Sequence, residues 1–212
     1  MIAGTVYGVV LNDSAERDQL AAAFHEPPYR APPKAPVLYI KPRNCFNPGG
    51  ASVRLGPDLI EVEAAATLGL LFGRDAAKHD AGSALASVAA ACLALDVSER
   101  QANYYRPAVR QRCRDGFLPL GELAPFEPAL LSGEIVTSVD GVTVHRWPLT
   151  RLVRDAATLI AEISAFMTLA AGDVLLIGLP HDAPRVAAGR RVTVTSSGLP
   201  PLNASFVTED AR

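Results

Sequence analysis

The sequence predicts an α+β fold in which strands dominate and two or three helices interrupt mixed or rolled sheets. Three observations carry this. β-branched runs bounded by Gly and Pro recur along the chain, an Asp-Gly hairpin signal sits between two of them, and neither a βαβα rhythm nor an internal repeat is present. With 212 residues, 49% of them hydrophobic and 20% charged, one domain over 1–212 is expected. It divides into an N-terminal strand, helix and Pro-rich connector (1–35) and a core (36–212).

"TVYGVVLN" reads as the first strand, and "SAERDQLAAAFHE" as a helix that Pro27 and Pro28 stop. "PPYRAPPKAP" can only be an extended connector. "VLYIK" is a short strand, "NPGG" a loop, and a longer strand ends in "TLGLLFG". In "DAGSALASVAAACLALD" the spacing of Leu85, Val88, Ala89, Cys92 and Leu93 predicts a helix. The period then changes to two in "GEIVTSVDGVTVHRW", where Asp140-Gly141 marks a hairpin. A long helix is expected over "LTRLVRDAATLIAEISAFMTL", with Leu149, Leu152, Val153, Ala156, Leu159, Ile160, Ile163, Phe166 and Met167 on one face. "GDVLLIGLP", "RRVTVTSSG" and "LNASFVTE" close the chain as strands.

Twenty basic residues face 22 acidic ones, so no basic stripe points to nucleic acid. "MIAGTVYGVVLND" has no basic leader region or small-residue cleavage pattern, and no apolar run approaches a membrane span. A cytoplasmic protein without membrane contact is expected. Cys45, Cys92 and Cys113 fit neither a disulfide framework nor a zinc motif and read as free thiols. His25, His79, His145 and His181 do not cluster. No nucleophile elbow, P-loop or His-Glu-x-x-His helix occurs.

Two stretches carry chemistry. Glu61 and Glu63 stand two apart in "DLIEVEAAATLGLLFG", where a strand would aim both carboxylates to one face, as a metal pair or as solvated charges. In "NYYRPAVRQRCRDGFLPLG", Arg110, Arg112 and Arg114 alternate, so a strand would put three guanidinium groups on one face. That face would suit an anionic substrate or form a charged exterior.

"VLYIKPRNCFNPGG", "ATLGLLFG", "NYYRPAVRQRCRDGFLPLG", "FMTLAAGDVLLIGLP" and "LPPLNASFV", in this order from about Thr5 to about Glu209, resemble the fumarylacetoacetate hydrolase superfamily. "IKPRN" with "YYRPAVRQRCRDGF" most resembles the amino-terminal half, or separate first subunit, of the bifunctional isomerase/decarboxylases of homoprotocatechuate (4-hydroxyphenylacetate) breakdown. The resemblance implies a β-roll and a small dicarboxylate or 2-oxo acid as substrate. The two reactions are decarboxylation of 5-carboxymethyl-2-oxo-hex-3-ene-1,7-dioate and isomerisation of 2-hydroxyhepta-2,4-diene-1,7-dioate. It implies Mg²⁺ or Mn²⁺ on a Glu-x-Glu pair plus an Asp beyond the next helix, where a hard cation gathers several oxygens. It further implies that Lys41, Arg106, Arg114 and Gly178 bind substrate and that Arg112 and Asp115 take part in catalysis.

The chain departs from that pattern at the metal. Counting back from Gly73 puts Ala65 and Thr67 at the glutamate positions and leaves Asp96 as the one ligand. Glu61 and Glu63 lie four residues upstream, about 13 Å along an extended strand, and remain a minority alternative. Arg112 stands where the family has a basic lysine and cannot deprotonate. Glu16 has no histidine beside it near the N-terminus, and Leu179 replaces a carboxylate-holding threonine. Two functions therefore compete. The chain either isomerises substrate in its own pocket with Asp96, Asp115 or Glu16 as base, or it is a non-catalytic partner holding no metal itself, paired in a homo-dimer or with a metal-retaining sister chain. A drifted homologue acting on another 2-oxo acid is a further variant.

Overall fold

The computed structural model describes residues 2–101 and 103–209; the two ends of the expected 1–212 domain lie outside them. Among the described residues there are fourteen strands, arranged in two mixed sheets, and three α-helices. The first segment runs β1 (Val6–Val10), α1 (Ser14–Gln19), β2 (Val37–Lys41), β3 (Phe46–Pro48) and β4 (Ser52–Leu55). Next come β5 (Glu61–Phe72), β6 (Val88–Ser98), α2 (Val109–Arg112), β7 (Leu118–Leu120) and β8 (Ala124–Pro125). The chain ends with β9 (Glu134–Val139), β10 (Val142–Pro148), α3 (Ala156–Ser164), β11 (Val174–Leu176), β12 (Arg185–Ala187), β13 (Arg191–Thr195) and β14 (Leu202–Thr208).

The larger sheet has the order β2-β1-β11-β5-β6-β7-β3, with β12 beside β5 and β8 beside β6. The smaller is β10-β9-β13-β14-β4. One apolar cluster joins them: Leu68, Leu70, Leu93 and Leu95 of the large sheet pack with Val192, Val194 and Phe206 of the small one and with Leu159, Ile160 and Ile163 of α3. Burying a side chain of this size stabilises by roughly 1.5–3 kcal/mol, so this cluster, with the β5/β6 ladder inside it, is the rigid platform of the molecule.

Three expectations are corrected. Residues 88–98 are strand β6, preceded by a short 3₁₀ turn at Ala84–Ser87, and not a helix. This strand is covered on both faces, so its apolar residues run almost without interruption and no period of two is visible. The long helix predicted from Leu149 shrinks to α3, because Asp155 caps it by accepting from the Thr158 amide, while Leu149–Arg151 form a separate 3₁₀ turn. Phe166 and Val153, assigned to its buried face, are exposed. Finally, Arg110 and Arg112 lie in α2 rather than on a strand, so the three arginines diverge: Arg110 is exposed, Arg112 buried and Arg114 half-buried.

The hairpin at Asp140-Gly141 is formed as expected. Both residues take positive φ, +50° and +83°, as its tight turn requires.

Candidate functional site

Strands β5 and β6 pair antiparallel in a register that sets Ala65 opposite Asp96 and Glu63 opposite Ser98. From β2, at the edge of the same sheet, Tyr39 and Lys41 share one face because they are two apart. All three elements converge on Asp96, which is fully buried.

Its carboxylate is already occupied. Oδ1 lies 3.1 Å from Lys41 Nζ and 3.0 Å from Arg112 Nη1, and Oδ2 accepts from the Tyr39 hydroxyl. Lys41 is itself buried and also donates to the carbonyls of Val97, Arg112 and Phe117, which uses up the three protons of its ammonium group and fixes the start of the 112–117 loop to the sheet. The Arg112 guanidinium stacks 5.0 Å over the Tyr39 ring. Burial works against its charge, but Asp96 and the neighbouring tyrosines outweigh that and raise its pKa, so Arg112 is a permanent cation. Burial and Asp96 together push the Tyr39 phenol well up, which keeps it a donor. Gly8 of β1 makes room for this arrangement, since a Cβ there would run into the Tyr39 ring.

Arg112 faces a polar cleft of about 470 Å³ lined by Glu16, Glu63, Ala65, Gln101, Tyr104 and His181 among others. Glu16, from α1, is buried and accepts a hydrogen bond from Tyr104, whose own amide donates to the Tyr29 hydroxyl. Burial raises the Glu16 carboxyl above its ordinary value, with Tyr104 and His181 pulling the other way. His181, from the loop after β11, lines the same cleft, its backbone anchored where its amide donates to Asp13.

The other sequence-predicted residues scatter. Asp115 is exposed, accepts from Asn44 and borders a different surface depression together with Arg114. Arg114 bridges Asp58 and Glu99. Arg106 is exposed in an apolar groove beside Tyr105 and Val109. Gly178 contributes only its carbonyl, which accepts from Thr67 Oγ1 at 2.6 Å. Glu61 is exposed and paired with Arg185, and Glu63 alone of that pair lines the cleft. The structure therefore brings together Lys41, Asp96, Arg112 and Glu63, sets Arg106 on a second groove that Arg112, Gln101 and Tyr39 also line, and places Arg114 and Asp115 elsewhere.

Sequence reasoning missed Tyr39 and Gln101. Tyr39 was recoverable from its two-residue spacing to Lys41 on a strand; Gln101 carried no signal.

The divalent cation implied by the resemblance does not fit these residues. Ala65 offers no donor, the Thr67 hydroxyl is spent on Gly178, and both Asp96 oxygens hold protons or cations of the protein. Among the described residues no cluster of three or more His, Cys, Asp or Glu side chains is placed to hold a metal. A dication inserted beside Lys41 and Arg112 would meet two fixed positive charges at short range.

Comparison with known proteins agrees with the architecture. The 4-hydroxyphenylacetate degradation bifunctional isomerase/decarboxylase of Salmonella dublin is 39% identical over 207 residues, covering 98% of this chain and 48% of that protein. The chain spans about half the length of the curated relatives of this type that it matches. Among solved structures, 5-carboxymethyl-2-hydroxymuconate delta-isomerase from Mycobacterium smegmatis superposes with a TM-score of 0.85 at 25% identity, covering 100% of this chain and 81% of that one. Fumarylpyruvate hydrolase from Pseudomonas aeruginosa, in complex with Mn²⁺ and pyruvate, shares the fold with a TM-score of 0.81 at 23% identity, over 97% of this chain and 90% of that one. The Salmonella dublin relative is thus an isomerase/decarboxylase and the Mycobacterium smegmatis neighbour an isomerase, while the Mn²⁺ is held by the hydrolase that shares the fold. Residues 5–207 match the family described as "Fumarylacetoacetate (FAA) hydrolase C-terminal", and the chain belongs to that family.

Proposed function

We propose that this chain is one half of a 2-hydroxyhepta-2,4-diene-1,7-dioate isomerase / 5-carboxymethyl-2-oxo-hex-3-ene-1,7-dioate decarboxylase of aromatic-acid catabolism, and the half without a metal of its own. The similarity to about half the length of the bifunctional enzymes supports the pathway. The observation that carries the division of labour is the Asp96 carboxylate, which is filled by Lys41, Arg112 and Tyr39. Metal-assisted chemistry then belongs to a sister domain or chain that keeps the Glu-x-Glu pair, and this chain completes a pseudo-symmetric pair with it.

A second reading is favoured by Glu16. It is the one carboxylate among the bases considered that lies in the cleft with its pKa raised, so it can exchange a proton with a bound hydroxydiene acid while Arg112 stabilises the dienolate charge. Asp96 is sealed by its cations and Asp115 faces elsewhere.

The two readings separate on purified protein. Bound Mn²⁺ and diacid turnover are measured for the chain alone, then after addition of a family member retaining Glu-x-Glu. The expected outcome is no stoichiometric metal and no turnover alone, with turnover appearing in the mixture. Stoichiometric metal together with turnover in isolation overturns the metal-free assignment; turnover alone without metal selects Glu16 as the proton carrier.

A further inference from the structure

We infer that the Arg112 guanidinium takes over the place and the charge of the missing cation, and makes the cleft a metal-independent binding site for a small carboxylate. The inference rests on the reading of this chain as a metal-free half and names the ligand class of its pocket.

Four observations support it. First, Arg112 pairs with Asp96 and lines the same cleft as Ala65, the residue paired with Asp96 across the β5/β6 ladder, where the Glu-x-Glu pair and Asp would have gathered a cation. Second, Lys41 and Arg112 outnumber Asp96, so the buried cluster carries one surplus positive charge. Third, the guanidinium has five N–H donors, and among the described residues only Nη1 meets an acceptor, Asp96. The side chain is 8% exposed and lines both this cleft and the groove that holds Arg106, and its remaining N–H groups are open to solvent there. Donors without a protein acceptor are free to bind a ligand, and the planar fork matches a carboxylate bidentately. Fourth, Gln101, on the same cleft, has a buried Nε2 without a hydrogen-bond partner among the described residues, which supplies a second donor for an adjacent oxygen.

The neighbours set the sign of the response. Glu63 faces the cleft and pulls on Arg112 electrostatically without replacing Asp96 as its ion-pair partner, so it repels an incoming anion. Glu16 repels it less, because burial favours its neutral form. Arg100 and Arg185 also line the cleft as positive groups, with Asp182 as a further carboxylate.

Oxalate, carrying two adjacent carboxylates, is the probe. Isothermal titration of the EDTA-treated full chain with oxalate is expected to show saturable one-to-one binding that added Mn²⁺ leaves unchanged. Arg112→Gln weakens it at least roughly tenfold through loss of a charge-assisted fork, and Glu63→Gln tightens it several-fold. Circular dichroism verifies that each variant is folded; should Arg112→Gln unfold, Glu63→Gln decides, since its side chain carries no core packing. Binding that requires Mn²⁺, or an affinity unmoved by Glu63→Gln, overturns the inference. Loss of oxalate binding with turnover in the sister mixture intact would sink this site while sparing the proposed function. Arg112-dependent oxalate binding with no turnover in the mixture would do the reverse.

Discussion

Asp96 is held between Lys41 and Arg112 with no exposed surface, and that pairing is where single residues matter most. Both charges on the basic side are desolvated, so removing the carboxylate leaves two like charges facing one another in a low dielectric. Asp96→Ala is expected to destabilise the fold by about 3–5 kcal/mol, read as a lowered midpoint in urea denaturation. Glu61→Gln removes an ion pair whose two side chains are each nearly half exposed, and should cost below about 1 kcal/mol. A comparable loss in both variants would mean that Asp96 is no more structural than a surface carboxylate. The contrast also explains why the "Glu-x-Glu" spacing misleads at residue scale: spacing shows which face a carboxylate takes, whereas register shows what it faces, and the pairing of Ala65 with Asp96 locates the buried cluster.

At the scale of elements, the Asp140-Gly141 turn illustrates a local signal that tertiary structure leaves alone. Nothing lies within 4 Å of a Cβ added at Gly141, so only the φ of +83° penalises a side chain there. Gly141→Ala should therefore cost about 1 kcal/mol with no loss of cleft binding, checked by urea denaturation beside oxalate titration; a loss of several kcal/mol would show that the hairpin tip supports more than its own turn. Such turns, the β-branched strands and the Pro-rich connector were legible because their causes lie within a few residues. Strand β6 was not. "VAAACLALDVS" is buried almost throughout by two layers, so its helix-compatible spacing of Leu and Ala had no polar face to contradict it. The arginine run failed for a related reason: alternation predicts a shared face only on a strand, and the α2 turn, tied by Lys41 to its Arg112 carbonyl, sends Arg112 inward and Arg110 out. The site was half legible: the resemblance pointed to Lys41, Asp96 and Arg112, and Arg112 also stood out in its arginine run. Tyr39, Gln101 and His181 were drawn in by pairings between segments distant in sequence.

For the molecule as a whole, the Asp96 cluster joins segments that are distant in sequence. It ties β2, β6 and the 112–117 loop together through four interactions of Lys41, three with carbonyls and one with Asp96, and through the Arg112 pair. A domain that binds its cation only when folded gains stability from it by mass action: at a hundred times Kd the gain is about 2.7 kcal/mol. For a chain of this size each kcal/mol moves Tm by roughly 2–4 °C, so a resident Mn²⁺ site would raise Tm by roughly 5–11 °C at that saturation. Here the cross-link is covalently part of the sequence and present in buffer alone. Melting curves taken in EDTA and in about 1 mM Mn²⁺, a hundredfold excess over a 10 µM site, are accordingly expected to coincide within about 1 °C. A rise of several degrees would place a dication in a pocket that already holds two protein cations, and would require Arg112 to have swung away from Asp96 to admit it.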